Sequence, residues 1–152
     1  LRARDLLAAV TRPCGETDWR HARRGHCLSV FFLTTLDRVP AFEETVRALS
    51  RERGLDEDRL GFYIQPVVQN HACHVELLVP FDPRDPEEVE RIRALEREAV
   101  QKLADAGAFF SRPYGSSQEI VFRRNPASFQ VLRKMKEIFD PKRVLNRDKW
   151  NL

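Results

Sequence analysis

Hydrophobic residues follow two different spacings along this chain, and each spacing predicts one kind of secondary structure. The run 28–34 is rich in β-branched and aromatic residues and predicts a buried strand. The runs 60–68 and 72–79 are separated by a short polar link, which predicts two neighbouring antiparallel strands. A short run from Glu119 to Phe122 predicts a last strand that completes the sheet.

Apolar residues recur every three to four positions in the segments 40–53, 86–106 and 126–139, as they do on one face of an α-helix. A proline stands at the start of each segment, and a glycine or an Asp-Pro pair follows its end. These signals predict three amphipathic helices. A shorter pattern in residues 2–10 predicts the end of a helix that enters the domain.

The predicted order of strand, helix, strand, strand and helix is typical of a ferredoxin-like α+β unit with an antiparallel sheet and its helices on one face. No apolar run is long enough to span a bilayer, so no membrane insertion is expected. The chain begins with Leu1, and we expect it to be part of a longer polypeptide. Residues 144–152 have no periodicity, and we expect them to lie along a surface outside this chain.

Composition changes this picture little. The chain has 152 residues, 42% of them apolar and 32% charged, which is typical of a soluble globular domain. Its 26 basic residues are interleaved with 23 acidic ones, so binding of nucleic acid is not expected, and the basic cluster 20–24 is interpreted as a solvated loop. Cys14, Cys27 and Cys73 suggest reduced thiols and a cytoplasmic protein, although one disulfide stays open.

Two polar residues lie in the otherwise apolar run 72–79. Because side chains alternate along a strand, His74 and Glu76 share one face, opposite the apolar one. Either they lie on a solvated sheet face, or His74 binds or deprotonates a substrate while Glu76 orients it.

A metal site is not predicted. His71, His74 and Glu76 are metal-ligand residue types, but His71 and His74 would project from opposite faces of a regular strand. A second, loose group also lacks the spacing of a zinc site. It consists of Cys14, His21, His26 and Cys27.

Arg112 and Tyr114 alternate with Pro113 and Gly115 in a turn-rich loop. A guanidinium can hold a carboxylate, phenolate or phosphate with two hydrogen bonds, and a phenol hydroxyl can share the same oxygen. The alternative is a surface turn with an exposed arginine. The chain has no glycine-rich phosphate loop, so we do not expect it to bind a whole dinucleotide alone.

The order of these segments resembles the C-terminal part of FAD-linked oxidases of the vanillyl-alcohol oxidase and p-cresol methylhydroxylase family. The resemblance covers about Val30 to Trp150. It is carried, in order, by His74-Val75-Glu76, by Phe81 to Glu88, by the helix that ends at Ala106-Gly107, by Ser111-Arg112-Pro113-Tyr114-Gly115 and by the closing run Ile138 to Trp150.

In that family an FAD-binding domain precedes a cap domain whose antiparallel sheet covers the isoalloxazine ring, and a tail then returns to the FAD-binding domain. The resemblance implies that residues 1–122 are the C-terminal part of the cap (substrate) domain and that 123–152 are the helix and the returning tail. It implies FAD as cofactor and an FAD-binding domain or subunit as partner. The expected reaction is oxidation of a small organic substrate, a 4-substituted phenol or alcohol, at a CH-OH or CH-CH group by hydride transfer to flavin.

The resemblance also implies roles for single residues. Arg112 matches the arginine that stabilises a phenolate, and Tyr114 is expected to compensate for Ser111, which stands where the family has a tyrosine. His74 lies at or beside a position that faces the substrate, with Glu76 as a further substrate-binding residue.

Three further residues are implied on the cofactor side. Asn146 and Lys149 occupy the ends of a family Asn-Pro-Gly-Lys motif whose middle differs here, and we expect both to approach the flavin. His26 is the nearest candidate for a covalent FAD link, but its spacing to Phe31-Phe32 departs from the family, so no such link is predicted.

Two alternatives stay open. One is the cap of a D-lactate or glycolate-type 2-hydroxy acid dehydrogenase, although the metal motif of that branch does not occur here. The other is a non-enzymatic ferredoxin-like module that binds a ligand on the same sheet face, which would not need the long tail after Pro141. A homo-oligomer and an electron-acceptor protein are partners that the sequence leaves undecided.

Overall fold

A computed structural model describes residues 24–67 and 71–145 of the chain. The described part contains three strands and four α-helices. They are β1 (His26–Thr34), α1 (Val39–Glu52), β2 (Gly61–Val67), β3 (Ala72–Phe81), α2 (Pro86–Asp105), α3 (Ser116–Arg124) and α4 (Pro126–Phe139), with short 3-10 turns at Leu36–Arg38 and Glu57–Arg59.

The three strands form an antiparallel sheet in the order β1-β3-β2, so the last of these three strands along the chain lies in the middle. In this register Glu76 of β3 lies between Phe31 of β1 and Tyr63 of β2. Pro66 lies in β2, an outer strand of the described sheet, where a missing backbone donor is tolerated. The α+β, ferredoxin-like fold class predicted from the sequence is confirmed.

One face of the sheet packs against the helices and forms the core. Alternate residues of the strands face this side, among them Phe32 of β1 and Val75 of β3, which are 2% and 1% exposed. Leu49 of α1 and Leu95 of α2 are completely buried against them. Burying a side chain of this size stabilises the fold by about 2 kcal/mol. The helices therefore cover one sheet face, and the strand residues at the alternate positions point to the other.

The predicted strand at Glu119–Phe122 is wrong, because these residues belong to helix α3. Ile120 is buried in the core, whereas Phe122 packs on Phe129 of α4 with ring centroids 4.5 Å apart. Three consecutive apolar residues fit a short buried strand and a short helix equally well, so the pattern alone could not decide. Beside β1, a single two-residue bridge between Leu33 and Phe109 takes the place expected for that strand.

Helix α2 begins at an acidic cap. The Asp85 side chain accepts hydrogen bonds from the backbone N–H groups of Glu87 and Glu88, as the Asp-Pro start predicts. Glu88 itself is 3% exposed, and its carboxylate accepts hydrogen bonds from the guanidinium groups of Arg24 and Arg59 and from the backbone N–H of Asp82. This carboxylate therefore ties the first turn of α2 to the residues that precede β1 and β2 and to the residue that follows β3.

Helix α4 is amphipathic, yet none of its side chains is buried in the described structure. Its apolar face stays exposed, with Ile138 and Phe139 72% and 75% exposed. Val144 and Leu145 extend the same exposed apolar surface beyond the end of the helix. We call these residues, together with Val131 and Met135, the α4 apolar surface. The described residues do not cover it.

The buried carboxylate of Asp140 holds the first residues after α4. It accepts hydrogen bonds from the backbone N–H groups of Val144 at 2.8 Å and Leu145 at 3.0 Å, and it pairs with Lys136 one turn earlier. The chain thus folds back at the end of the helix.

In the described part of the chain, no helix is long and apolar enough to cross a membrane.

Candidate functional site

The candidate site lies on the sheet face opposite the core. His74 and Glu76 of β3 share this face, as their alternation predicts, and the register places Phe31 of β1 and Tyr63 of β2 on the two sides of Glu76. His74 lies beside Tyr63, with ring centroids 6.3 Å apart in an edge-to-face arrangement. Polar and aromatic side chains from all three strands therefore meet on one surface.

Phe31 is the residue around which the predicted site residues gather. Its ring stacks with the His74 ring at 5.7 Å and an interplanar angle of 24°. The Tyr114 ring approaches it edge-on at 6.5 Å, and the guanidinium carbon of Arg112 lies 5.1 Å from its centroid. The structure thus brings His74 of β3 together with Arg112 and Tyr114, which the sequence placed in a separate loop.

The 111–115 loop reaches the sheet because it is anchored at both ends. Before the loop, the Phe109 N–H donates to the carbonyl of Leu33 in β1 at 3.0 Å, and the Leu33 N–H donates to the Phe109 carbonyl at 2.8 Å. After it, the Ser117 hydroxyl donates to the Tyr114 carbonyl at 2.8 Å and accepts from the Tyr114 N–H at 3.0 Å. Gly115 adopts a φ of 53°, a conformation that favours glycine. Arg112 and Tyr114 stay exposed between these anchors.

Glu76 is oriented by a neighbour in β1. The Ser29 hydroxyl donates a hydrogen bond to Oε1 of Glu76. Both residues lie on the site face, because Ser29 and Phe31 occupy alternate positions of β1. This hydrogen bond therefore keeps the Glu76 carboxylate on the site face of the sheet, two residues along β3 from His74.

This arrangement offers three kinds of chemistry within one surface. The Arg112 guanidinium can bind an anionic oxygen, and the Tyr114 hydroxyl can donate to the same atom. The rings of Phe31 and Tyr63 present apolar faces to a planar ligand. His74 and Glu76 are groups that can accept or donate a proton.

Phe31, Tyr63 and Ser29 were not singled out from the sequence. The run 28–34 was interpreted as a buried strand because it is rich in β-branched and aromatic residues. Ser29 is the one polar residue within that run before Thr34, and its position two residues before Phe31 was the available signal for a site face. Tyr63 needs the register with Glu76, which the sequence does not provide.

Other candidate residues do not join this group. His26 lies at the start of β1, opposite Phe81 of β3, with the two rings 5.1 Å apart. It lies five positions before Phe31 along the strand, which corresponds to about 16 Å. Asn146 and Lys149, like Cys14 and His21, lie outside the described residues.

The described cysteines and potential metal ligands do not form a reactive centre. Cys73 is a free thiol that is buried in the core, and Cys27 is a partly buried residue of β1. Burial raises the pKa of Cys73, and the negative charge of Asp37 raises it further, so its thiolate is disfavoured. Among residues 24–67 and 71–145, no three His, Cys, Asp or Glu side chains are grouped closely enough to hold a metal ion.

Comparison with known proteins gives one match. Residues 32–150 match the family model described as FAD linked oxidases, C-terminal domain. The match includes the last three residues of β1, all of β2 and β3, and the 111–115 loop, so the whole candidate site except Ser29 and Phe31 lies within it. Searches of the curated proteins and of the solved structures found no match.

Proposed function

The chain belongs to the family of FAD linked oxidases, C-terminal domain, and from this membership we propose that it is the substrate-binding cap of a vanillyl-alcohol oxidase-type enzyme. The family establishes the coarser statement, that the chain is part of an FAD-linked oxidoreductase whose cofactor is FAD and whose partner is an FAD-binding domain. The substrate, the subfamily and the roles of single residues belong to the proposal.

The observation that carries the proposal is the meeting of Arg112, Tyr114 and His74 around the Phe31 ring. We assign to this surface a small organic substrate of the 4-substituted phenol or alcohol type. Arg112 binds the substrate oxygen and stabilises negative charge that develops on it, and the Tyr114 hydroxyl donates to the same oxygen. His74 accepts a proton from the substrate or returns one to it, and Glu76 orients the substrate beside His74.

The described residues fit the ring end of FAD better than its phosphates. The site surface carries the aromatic side chains of Phe31 and Tyr63, which suit contact with a flat ring system. The described residues of the site contain no glycine-rich loop of the kind that binds a pyrophosphate. When bound, the flavin supplies the hydride acceptor, and this chain orients the substrate carbon toward it. Asn146 and Lys149 remain proposed contacts on the flavin side.

The α4 apolar surface supports the proposed division of the chain into cap (1–122) and returning segment (123–152). An amphipathic helix whose apolar face is exposed needs a partner to bury it, since contiguous exposed apolar patches mark interaction sites. We assign that face to the FAD-binding domain or subunit. A free ligand-binding module does not require such a helix, so this feature favours the enzyme over the non-enzymatic alternative.

A 2-hydroxy acid is the competing substrate class, because the Arg112 guanidinium suits a carboxylate as well as a phenolate. The test is anaerobic reduction of the natively purified enzyme by a candidate substrate, and the loss of the visible absorption of oxidised flavin measures this reduction. Bleaching by 4-hydroxybenzyl alcohol but not by D-lactate is the expected result. Bleaching by D-lactate but not by 4-hydroxybenzyl alcohol would mean that the substrate of the site is a 2-hydroxy acid. A native protein without flavin and without an FAD-binding partner contradicts the proposal as a whole.

A further inference from the structure

Phe31 differs from Arg112 and Tyr114 because it belongs to a strand of the sheet and not to the 111–115 loop. Its backbone is fixed in the β1–β3 ladder opposite Glu76, and its ring is only partly exposed. Arg112, in contrast, lies in an exposed loop and has a long side chain with several rotatable bonds. Where these two meet, the ring is the fixed element and the guanidinium the adjustable one.

The way in which Arg112 is held leaves its hydrogen-bond donors available. Among the described residues, no carboxylate pairs with its guanidinium, which lies over the Phe31 ring at 5.1 Å. A carboxylate partner would neutralise the charge and occupy the N–H groups, whereas an aromatic face attracts the cation through its π-system. The ring can therefore orient the arginine without competing with an anionic ligand for its donors.

Two other arginines over aromatic rings show the difference. Arg47 lies 5.4 Å from the Phe62 centroid, but it also donates to Glu43 at 2.7 Å. Arg38 lies 5.5 Å from the centroid of Phe42 and donates to the carbonyl of Ala106. Both have their donors engaged inside the protein. Arg112 is the member of this set whose ring contact is combined with unengaged donors in the described structure.

We infer that Phe31 is a positioning residue that orients Arg112 for an anionic ligand. This inference rests on the proposed function, in which Arg112 binds the substrate oxygen. The same ring stacks on His74, so it fixes the guanidinium relative to the imidazole across the site. Phe31 therefore sets the distance at which an oxygen held by Arg112 lies from the proton-transfer group.

The experiment uses the complete enzyme with its FAD-binding part and measures the affinity for benzoate through the change that it causes in the flavin spectrum. Phe31→Leu is expected to weaken benzoate binding by about three- to fivefold, the range typical of an exposed cation–π contact. Phe31→Tyr keeps the aromatic face, so this variant is expected to bind benzoate with wild-type affinity. Phe62→Leu is the matched control, because it removes the ring under Arg47 and is expected to leave benzoate affinity unchanged.

A double-mutant cycle with Arg112→Ala separates positioning from direct contact. If Phe31 acts through the arginine, Phe31→Leu has no further effect on benzoate affinity once Arg112 is alanine. Additive effects of the two substitutions overturn the positioning role. Wild-type benzoate affinity in Phe31→Leu, while Arg112→Ala weakens binding, overturns it as well. Both outcomes leave the proposed site intact. Unchanged affinity in Arg112→Ala overturns the proposed site and this inference together. If Phe31→Leu lowers flavin occupancy, Phe31→Met replaces it in the same cycle.

Discussion

The buried carboxylate of Glu88 accepts a hydrogen bond from the Arg59 guanidinium at 2.6 Å. Burial by itself raises the pKa of Glu88, but the hydrogen bonds from the Asp82 N–H and from Arg59 outweigh it and hold that pKa below its ordinary value. The group is therefore ionised in the folded state and joins α2 to the turn before β2 and to the end of β3.

Replacing this carboxylate tests its contribution to stability. Glu88→Gln keeps the shape but removes the charge opposite Arg59, and we expect it to lower the free energy of unfolding by about 2–3 kcal/mol, since Arg59 is only partly buried. Urea unfolding followed by circular dichroism measures the change. Glu87→Gln, at an exposed position in the same helical turn, is the control and is expected to stay within about 0.5 kcal/mol of the wild type.

Stability is expected to fall on acidification. Hydrogen bonds from the Arg84 side chain and backbone lower the pKa of Asp82 to about 2, and the pKa values of Glu88 and Asp140 are also lowered. These carboxylates have lower pKa values in the folded than in the unfolded chain, so their stabilisation is present above about pH 4 and is lost below it. Urea midpoints measured from pH 6 to pH 2.5 check this, and a smaller drop is expected for Glu88→Gln. A midpoint that does not decline below pH 4 contradicts it.

The fold-back after α4 depends on Asp140, whose pKa is lowered by its bond with Lys136 and by the N–H groups of Val144 and Leu145. Asp140→Asn loses the charge that these donors face, so we expect residues 141–145 to open more often. Trypsin cleavage after Lys142 or Arg143, followed by mass spectrometry, is expected to become several times faster. Glu137→Gln changes an exposed carboxylate in the same turn and is expected to leave the rate unchanged.

The α4 apolar surface is expected to carry the association with the FAD-binding partner. Ile138→Glu places a charge in the middle of this surface, where burial without a partner is costly. We expect at least a tenfold loss in affinity between the two parts, measured by titration, or a loss of bound flavin if they share one chain. Gln130→Glu introduces the same charge at an exposed polar position of α4 and is the control. Equal effects of the two changes would mean that charge, rather than this surface, matters.

Arg112 is expected to act in substrate binding and in charge stabilisation. Arg112→Ala should lower kcat/KM of the complete enzyme by about 10²-fold, and Arg112→Lys should recover only part of it because an ammonium cannot form the two-pronged contact. Steady-state kinetics with 4-hydroxybenzyl alcohol give both values. Arg93→Ala, at an exposed position of α2, is expected to behave like the wild type. Wild-type kinetics in Arg112→Ala would falsify the role of the 111–115 loop.

The sequence predicted the elements whose local signals agree. Proline at the start and glycine or Asp-Pro at the end located α1, α2 and α4, and the short link after β2 fixed its pairing with β3. The segment 119–122 failed because three apolar residues fit both periods, and only packing against α2 and α4 makes them helical. Local signals compete there, and tertiary contacts decide.

The candidate site was predicted in its parts but not in its centre. Alternation placed His74 and Glu76 on one face, and the 111–115 loop was recognised by its composition. Phe31 was missed because its contacts with Arg112 and His74 join residues that are distant in the chain. Such contacts depend on strand register and on the Leu33–Phe109 bridge, which a single sequence does not encode in any local pattern.

The central position of β3 also has a consequence for the folding kinetics of the domain. Hairpin pairs such as Val67 with Ala72 close a very short loop, whereas β1 pairs with β3 over the whole intervening chain, from Thr34 with Cys73 to His26 with Phe81. Local contacts form faster than those that close long loops. We therefore expect the β2–β3 hairpin to form early and β1 to add to it late. The Phe31 surface would then be among the last parts of the sheet to be assembled, and among the first to be lost when the domain opens from its β1 edge.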